Sequence, residues 1–397
     1  MTKGIFKTKV YYVDTYAQGS THEMFNSSLF LMCCMIFDTV ECRTSESSFL
    51  NLKRVINCPV PLNANHKKIV VIQGNGRMKL LLRYIVSALQ NVRFLFLAPK
   101  NAIVVFPFNN LLSLRLVNFL NKFLDRKLIV FCHNEMEAIY QNGVGFGLKY
   151  RLFPRLCQNF FLNPNVKVAK GLYFSVLGDV IKSNLSTIVS ADKIDKFISI
   201  DHPYIFQDDI IVNRNRSEQF NIGTIGATSK RKGLNEFIEF IYMIPRDLRV
   251  QIKLSVTGRI AEDAAQLTRL GVDTGSSSHV LDRKEYNERV KKLDLILFFY
   301  PENTYKVTAS GAIMDAILHE KPVLALKNDY FEYVFEKFGR FGFLFENNVD
   351  MLKKLYELLD EEEPLYFDFK TLKNKFSPRS ICHQFSFELH RIGYLSN

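Results

Sequence analysis

The sequence predicts an α/β protein of two Rossmann-like domains, each a mainly parallel sheet wrapped in helices. Three observations point there. The chain has 397 residues, too many for one compact α/β unit and enough for two domains with separate cores. Short β-branched or aromatic runs alternate with longer helical patterns over most of it, as βαβ units do. That alternation breaks at the polar stretch HPYIFQDDIIVNRNRSEQ, residues 202–219. A composition of 47% hydrophobic and 23% charged residues excludes disorder, collagen and coiled coil.

In the first domain, residues 1–201, strands are predicted at KVYYVD (9–14), DTVEC (38–42), KIVVIQ (68–73), RFLFLA (93–98), AIVVF (102–106), KLIVFC (127–132) and LYFSVL (172–177), with helices between most of them. A linker follows over 202–218. The second domain, 219–378, carries strands at QFNIGTIG (219–226), QIKLSVTG (251–258), LDLILFF (293–299), KPVLAL (321–326) and FGFLFE (341–346). A last helix from about Arg379 to Ile392, after the acidic stretch Asp360 to Glu363 and Pro364, is expected to pack back on the first domain, so that 379–397 form a crossing segment.

The seven cysteines are odd in number and lack metal spacing, which predicts reduced thiols in a cytosolic protein. The N-terminus has no signal-peptide pattern. The longest apolar run, Leu29 to Phe37, is nine residues and too short to cross a bilayer. Charge is more telling. The net charge is +12, yet residues 1–200 hold 25 Lys and Arg against 11 Asp and Glu, and no acid lies between Glu46 and Asp125. Such a basic field attracts phosphates. Helix-turn-helix, zinc-finger and RNP-like aromatic signatures are absent, which makes nucleic acid the weaker reading, so no nucleic-acid partner is expected and an anionic membrane surface is favoured. In GVGFGLKYRLFPRLCQNFFL, residues 143–162, aromatics alternate with Lys149, Arg151 and Arg155. They suit a headgroup interface, or a core with its cations turned to water.

Two turns in the second domain suit a phosphorylated ligand. In the first, Gly223-Thr224-Ile225-Gly226-Ala227-Thr228-Ser229 leads into Lys230-Arg231-Lys232-Gly233, where small residues let backbone amides approach an anion and Arg231 or Lys232 share its charge. It has neither Walker nor G-x-G-x-x-G spacing, and an ordinary βα connection reads the same way. In the second, Thr308-Ala309-Ser310-Gly311-Ala312 opens a helix after the strand 293–299, and Asp315 stands one turn on, where it could accept from a ribose diol. Ser310 as a plain N-cap with Asp315 as a dipole partner is the alternative. In the first domain Gly19 and His22 follow the first strand, and His133 and Glu135 follow KLIVFC. A His there could bond a hydroxyl or phosphate, and the Glu could act as a base.

This order of features resembles the glycosyltransferases of the GT-B fold, especially family four, over about residues 219–360. Gly226, Lys232 and Gly233 match that family's G-R-L-x-x-x-K-G turn, while Ala227 stands where its phosphate-binding Arg would be and Arg231 or Arg259 could substitute. The base-binding segment is similar to His279-Val280-Leu281-Asp282, which puts the base on the backbone of Val280. Asp315-Ala316 fits the end of the family's E-x7-E pair, but eight residues earlier stands Val307, not Glu. Gly19 and His133 match by position.

The resemblance implies two domains facing across a cleft, with the nucleotide sugar held by Gly226, Arg231, Lys232, Val280, Ser310, Gly311, Ala312 and Asp315. His133 and Glu135 would be catalytic, and Gly19 and His22 would lie on the acceptor side. It implies transfer of a sugar from a nucleoside diphosphate to a glycan or lipid-linked hydroxyl, in bacterial surface polysaccharide synthesis. No cofactor or metal is expected. The expected setting is the cytoplasm, peripheral at the inner face of the membrane. The missing Glu leaves the stereochemical outcome open. A sugar-nucleotide 2-epimerase and a non-catalytic glycan- or nucleotide-binding protein are the alternatives. A nicotinamide-dependent oxidoreductase is disfavoured by the missing G-x-G-x-x-G.

Overall fold

The computed structural model describes residues 6–57, 61–74, 76–140, 148–206, 219–275, 281–360 and 365–395. The chain divides into two compact units, one of Met1–Ile205, Val307–Ala309 and Lys375–Asn397, the other of Phe206–Lys306 and Ser310–Asn374.

Unit 1 opens with β1 (Phe6–Val13), α1 (Glu23–Ile36), β2 (Phe37–Thr44), α2 (Glu46–Ile56) and β3 (Ala64–Lys68). There follow α3 (Arg77–Leu97), β4 (Ile103–Phe106), α4 (Leu111–Leu124), β5 (Lys127–Phe131), α5 (Leu148–Phe161), β6 (Leu172–Val176), α6 (Asp179–Ser186), α7 (Ala191–Ile194) and β7 (Phe197–Ser199). The seven strands form one parallel sheet in the order β3-β2-β1-β4-β5-β6-β7.

Unit 2 runs β8 (Phe220–Ile225), α8 (Leu234–Met243), α9 (Arg246–Gln251), β9 (Ile252–Thr257), α10 (Ala264–Arg269), α11 (Arg283–Lys291), β10 (Leu295–Phe298) and α12 (Gly311–Leu318). It continues with β11 (Val323–Leu326), α13 (Asp329–Phe338), β12 (Gly342–Phe345), α14 (Asn348–Asp360) and α15 (Phe369–Phe376). Its parallel sheet has the order β12-β11-β10-β8-β9. Both sheets therefore reverse direction once, between β1 and β4 and between β8 and β10, and ligands of open α/β sheets bind at the carboxyl ends beside such points.

The helices start where short polar side chains can bond the first free amides. Ser45 accepts from Ser48 N, Asn110 from Leu112 N, Asp282 from Glu285 N and Asn328 from Phe331 N. The last helix, α16 (Pro378–Arg391), combines a Ser377 cap with Pro at its first position. It packs on α1 in unit 1, as the expected crossing segment should, and buries Ile381, Phe385 and Leu389 in the core around Leu29, Phe30 and Phe131. Tyr394 fixes its end, since the hydroxyl donates to Gly171 O at 2.6 Å and accepts from Leu128 N at 3.2 Å.

The five strands expected in the second domain all form, within a residue or two of their predicted ends. Three details of the first domain differ. RFLFLA is the last turns of α3, because its apolar residues continue a helical period that starts at Met78. The strand expected at KIVVIQ lies earlier, over Ala64–Lys68, where ANHKK pairs with β2 as a polar edge strand. The backbone of 70–74 instead meets α3, with Arg83 Nε donating to Ile72 O at 2.7 Å. Phe197–Ser199 was not anticipated, being only three residues long.

The thiols Cys33, Cys34, Cys42, Cys132, Cys157 and Cys382 are free and buried, and Cys58 lies outside the described residues. The expected linker lies outside them from 207 to 218, whereas Asp201, His202 and Tyr204 are buried in unit 1, with Gln384 Nε2 on Asp201 Oδ2 at 2.7 Å. Of the aromatics in 143–162, Phe160 and Phe161 are core, packed on Phe174 and Phe197, and Phe153 lies on Tyr84. The core reading holds for Phe160 and Phe161, while Phe153 is half-buried. Residues 143–147, and the side chains of 148–151, lie outside the described part.

Replacing Tyr394 by Phe removes the hydroxyl's two bonds but leaves the Leu128 amide and the Gly171 carbonyl paired with each other at 2.8 Å. The expected loss is that of an ordinary buried hydrogen bond, about 0.5–1.5 kcal/mol of unfolding free energy, measured by urea titration against wild type.

Candidate functional site

The site in unit 2 is built on the carboxyl ends of β8 and β10. At Gly226 the chain leaves β8 with φ 82°, a left-handed conformation that favours glycine, and its N–H bonds Thr257 O at 2.9 Å. A side chain there would meet the Ala312 methyl at 3.5 Å, so the turn lies against the start of α12. Lys230–Lys232 form a single 3-10 turn closed by Gly233 at φ 81°. Gly233 is obligatory twice over, since a Cβ would also fall 1.8 Å from Phe299 O. This close approach pins the basic turn to the end of β10.

Beyond β10, Tyr300 stacks on Tyr305 with ring centres 4.3 Å apart and planes 7° from parallel. Tyr305 is in the left-handed region at φ 59°. Lys232 Nζ lies 5.6 Å from the Tyr300 ring and 5.7 Å from the Tyr305 ring, so cation–π attraction holds the ammonium beside the turn. Ser310 donates to the Tyr300 hydroxyl at 3.4 Å instead of capping α12. The first amides of α12 are thus left to whatever anion approaches, and Gly311 is exposed with no atom within 4 Å of where a side chain would sit.

Asp315 stands one turn further on with both carboxylate oxygens engaged, by Arg283 Nη2 at 2.7 Å and by the Tyr286 hydroxyl at 3.0 Å. The carboxylate expected to meet a ribose is thus oriented by two side chains of α11. Gly226, Lys232, Ser310, Gly311 and Ala312 lie together at the ends of β8 and β10. Arg231 is half-buried in the 3-10 turn and Arg259 exposed after β9. Val280 lies outside the described residues.

In unit 1 the expected residues also gather at carboxyl ends, of β1 and β5. Buried Asp14 accepts from Tyr16 N at 3.1 Å, Ala17 N at 2.8 Å and Asn26 Nδ2 at 2.8 Å, which shapes the loop that carries Gly19 at φ 51° and His22 at φ 53°. His22 and His133 have ring centres 5.4 Å apart, and Phe25 packs edge-on to His133 at 4.5 Å and to His202 at 5.5 Å. His133 Nε2 donates to Pro107 O at 2.9 Å, which fixes the tautomer and makes Nδ1 an acceptor. Burial, and then His22, lower its pKa to about 3, so the imidazole is neutral at physiological pH. Glu135 folds back to accept from its neighbour His133 N at 3.0 and 3.1 Å, and burial raises its pKa to about 7.

Glu137 carries a contact that the sequence did not suggest: its Oε1 accepts from Val307 N at 3.1 Å. Val307 occupies the position where the family pattern has its first Glu. Tyr300, Tyr305, Arg283 and Tyr286 were likewise not singled out, and only their adjacency to the end of β10 or to Asp282 could have marked them. Among the described residues, no group of three His, Cys, Asp or Glu is arranged to hold a metal.

Solved structures share this architecture over nearly the whole chain. WaaG, a glycosyltransferase involved in lipopolysaccharide biosynthesis, is similar with a TM-score of 0.55 and 15% identity, over 95% of this chain and 98% of its own. Anabaena HepE in complex with UDP-glucose gives 0.56 and 12%, over 97% and 99%. TarM gives 0.61 and 11%, over 98% and 99%. The fold is that of GT-B glycosyltransferases. No protein-family model matches the sequence, and neither does any curated protein.

Glu135 offers a test of the electrostatics in unit 1. Its native pKa lies above the ordinary value of about 4.5, so the folded state binds the extra proton between about pH 4.5 and 7 and its contribution to stability falls as pH rises through that window. Glu135→Gln removes this dependence. The variant should gain stability relative to wild type from pH 5 to pH 8, in paired urea titrations; a constant difference would contradict the raised pKa.

Proposed function

We propose that the protein is a glycosyltransferase that takes a sugar from a nucleoside diphosphate and delivers it to a hydroxyl of a glycan or lipid-linked acceptor. The observation that carries this reading is the pairing, at the strand reversal of unit 2, of an uncapped helix start with a pinned lysine. A diphosphate needs just those two things, amides for its oxygens and a cation for its charge. Support also comes from the fold shared with WaaG, named for lipopolysaccharide biosynthesis, and with HepE, solved with UDP-glucose. On that basis the proposed setting is assembly of a bacterial surface polysaccharide at the cytoplasmic face of the membrane.

In the proposed reaction the bond from the anomeric carbon to the diphosphate oxygen breaks, and its electron pair leaves with the nucleoside diphosphate. A new bond forms from the acceptor oxygen to the same carbon. Lys232 and the amides of Ser310, Gly311 and Ala312 stabilise the charge that builds on the leaving oxygens, and the reaction is proposed to need no metal. Arg231 adds a second cation. Asp315, oriented by Arg283 and Tyr286, accepts from the ribose hydroxyls, and Val280 meets the base. The acceptor proton goes to Glu135, whose pKa of about 7 suits a base at neutral pH, while neutral His133 accepts a hydroxyl hydrogen at Nδ1. Gly19 and His22 line the acceptor side.

Ligands that bind the native state raise its melting temperature. UDP, GDP, CDP, dTDP and NAD are tested in turn on wild type and on Lys232→Ala and Asp315→Asn. One nucleoside diphosphate should stabilise wild type, NAD should not, and each variant should bind that nucleotide more weakly by about 1–3 kcal/mol. Unchanged nucleotide binding in both variants would remove the site assignment. Incubation with the matching nucleotide sugar should then release free nucleoside diphosphate only when acceptor is added, which a pure binding protein would not do.

A further inference from the structure

The helix α3 is turned the unusual way round. Its buried face carries Arg83, Ser87 and Asn91 among Tyr84, Phe94 and Leu95, while Met78, Leu81, Leu82, Ile85, Leu89 and Phe96 recur at helical spacing on the exposed face. Leu89 and Met78 are each 67% exposed. The polar side is inside because it is fully used there. Ser87 Oγ is 2.8 Å from Thr15 Oγ1, Asn91 Oδ1 accepts from Thr15 at 2.8 Å, and Asn110 Nδ2 donates to Ser87 at 3.1 Å. Arg83 donates to the carbonyls of Ile72 and Gly74. The neighbouring helix α4 buries Ser113, Asn118 and Asn121 beside Leu111, Leu114 and Val117, and likewise exposes an apolar row, Leu116, Phe119 and Phe123, the last at 74%. The two helices pack on each other, so the stripes form one apolar face.

Around that face stand the exposed cations Arg77, Lys79, Arg93, Lys100, Arg115 and Lys122, with no acidic residue in the sequence between Glu46 and Asp125 to neutralise them. A soluble partner-free surface has no use for so much exposed leucine. A second copy of the chain would bring the same cations against these, which repel. An anionic bilayer answers both features, since its acyl region takes the leucines and phenylalanines while its headgroups take the lysines and arginines.

We infer that the α3–α4 face of unit 1 is a docking surface for an anionic lipid bilayer, lying flat in the headgroup region. At 21 residues α3 is long and apolar enough to cross a membrane by length and composition alone. Crossing would require tearing Arg83, Ser87 and Asn91 from their partners inside unit 1, so the interfacial position is the one compatible with the fold. The inference stands on this surface alone and does not depend on the chemistry proposed for unit 2.

The sequence contains no tryptophan, which makes Leu89→Trp a reporter without background. With vesicles of phosphatidylcholine and phosphatidylglycerol, its emission should shift to the blue, be quenched by brominated acyl chains, and lose the effect as salt is raised. Phosphatidylcholine alone should give a much smaller shift. Otherwise wild-type protein should sediment with the anionic vesicles, and the double variant Leu89→Asp, Phe123→Asp should do so at least about tenfold more weakly. Emission that does not respond to vesicles overturns the proposal. So does a blue shift that grows with protein concentration alone and a double variant that turns a dimer into a monomer, which would give the face to a second copy. Lys232→Ala should sediment as wild type does, which separates failure of the membrane proposal from failure of the nucleotide site.

Discussion

The contact between Gly233 and the carbonyl of Phe299 is the constraint on which the unit 2 site depends. Strand order alone places the ends of β8 and β10 side by side, as any sheet with a central reversal does. The glycine then lets the basic turn settle directly on the end of β10. From that one approach follow the position of Lys232 beside the Tyr300 and Tyr305 rings, the engagement of Ser310 by Tyr300, and the bare amides at the start of α12. A larger residue at 233 would remove the arrangement as a whole rather than one contact within it.

Unit 1 shows a different economy. Its sheet is covered on one side by a hydrophobic packing of α1 and α16, where cysteines, leucines and phenylalanines fill the space and Tyr394 closes the end. Beneath α3 and α4 the small polar side chains of Ser87, Asn91 and Ser113 bond one another and those of Thr15 and Asn110. A satisfied buried network costs little, since each polar group has its partner. The leucines displaced by it are available for a surface, and the basic excess of the first half of the sequence is where that surface is.

Much of the architecture could be read from residues alone. In unit 2, β-branched runs between polar helices are long, separate and punctuated by glycine, and all five strands were legible. In unit 1 the same reasoning misplaced RFLFLA, because a run of six apolar residues has no period of its own and only the preceding turns of α3 show that it is helical. The small-residue turns at Gly226 and Ser310 were visible as phosphate sites in waiting. Their partners were not, because Tyr300, Tyr305, Arg283 and Tyr286 act through distances that only the fold fixes. His202 read as linker because Pro and acidic residues surround it in sequence, yet it packs on Phe25. The membrane-facing aromatics were sought at 143–162, where Phe160 and Phe161 turn out to be core, and the exposed apolar face lies on helices whose hydrophobicity looks like core in sequence.

Amide hydrogen exchange measured with and without UDP, GDP, CDP and dTDP tests the central claim most directly, because the site consists largely of backbone N–H groups. The nucleotide that binds should slow exchange at Gly226–Gly233 and at Ser310–Ile313, and leave the amides of α14 unchanged. Protection confined to other segments at saturating nucleotide, with the start of α12 exchanging as fast as before, would contradict the account.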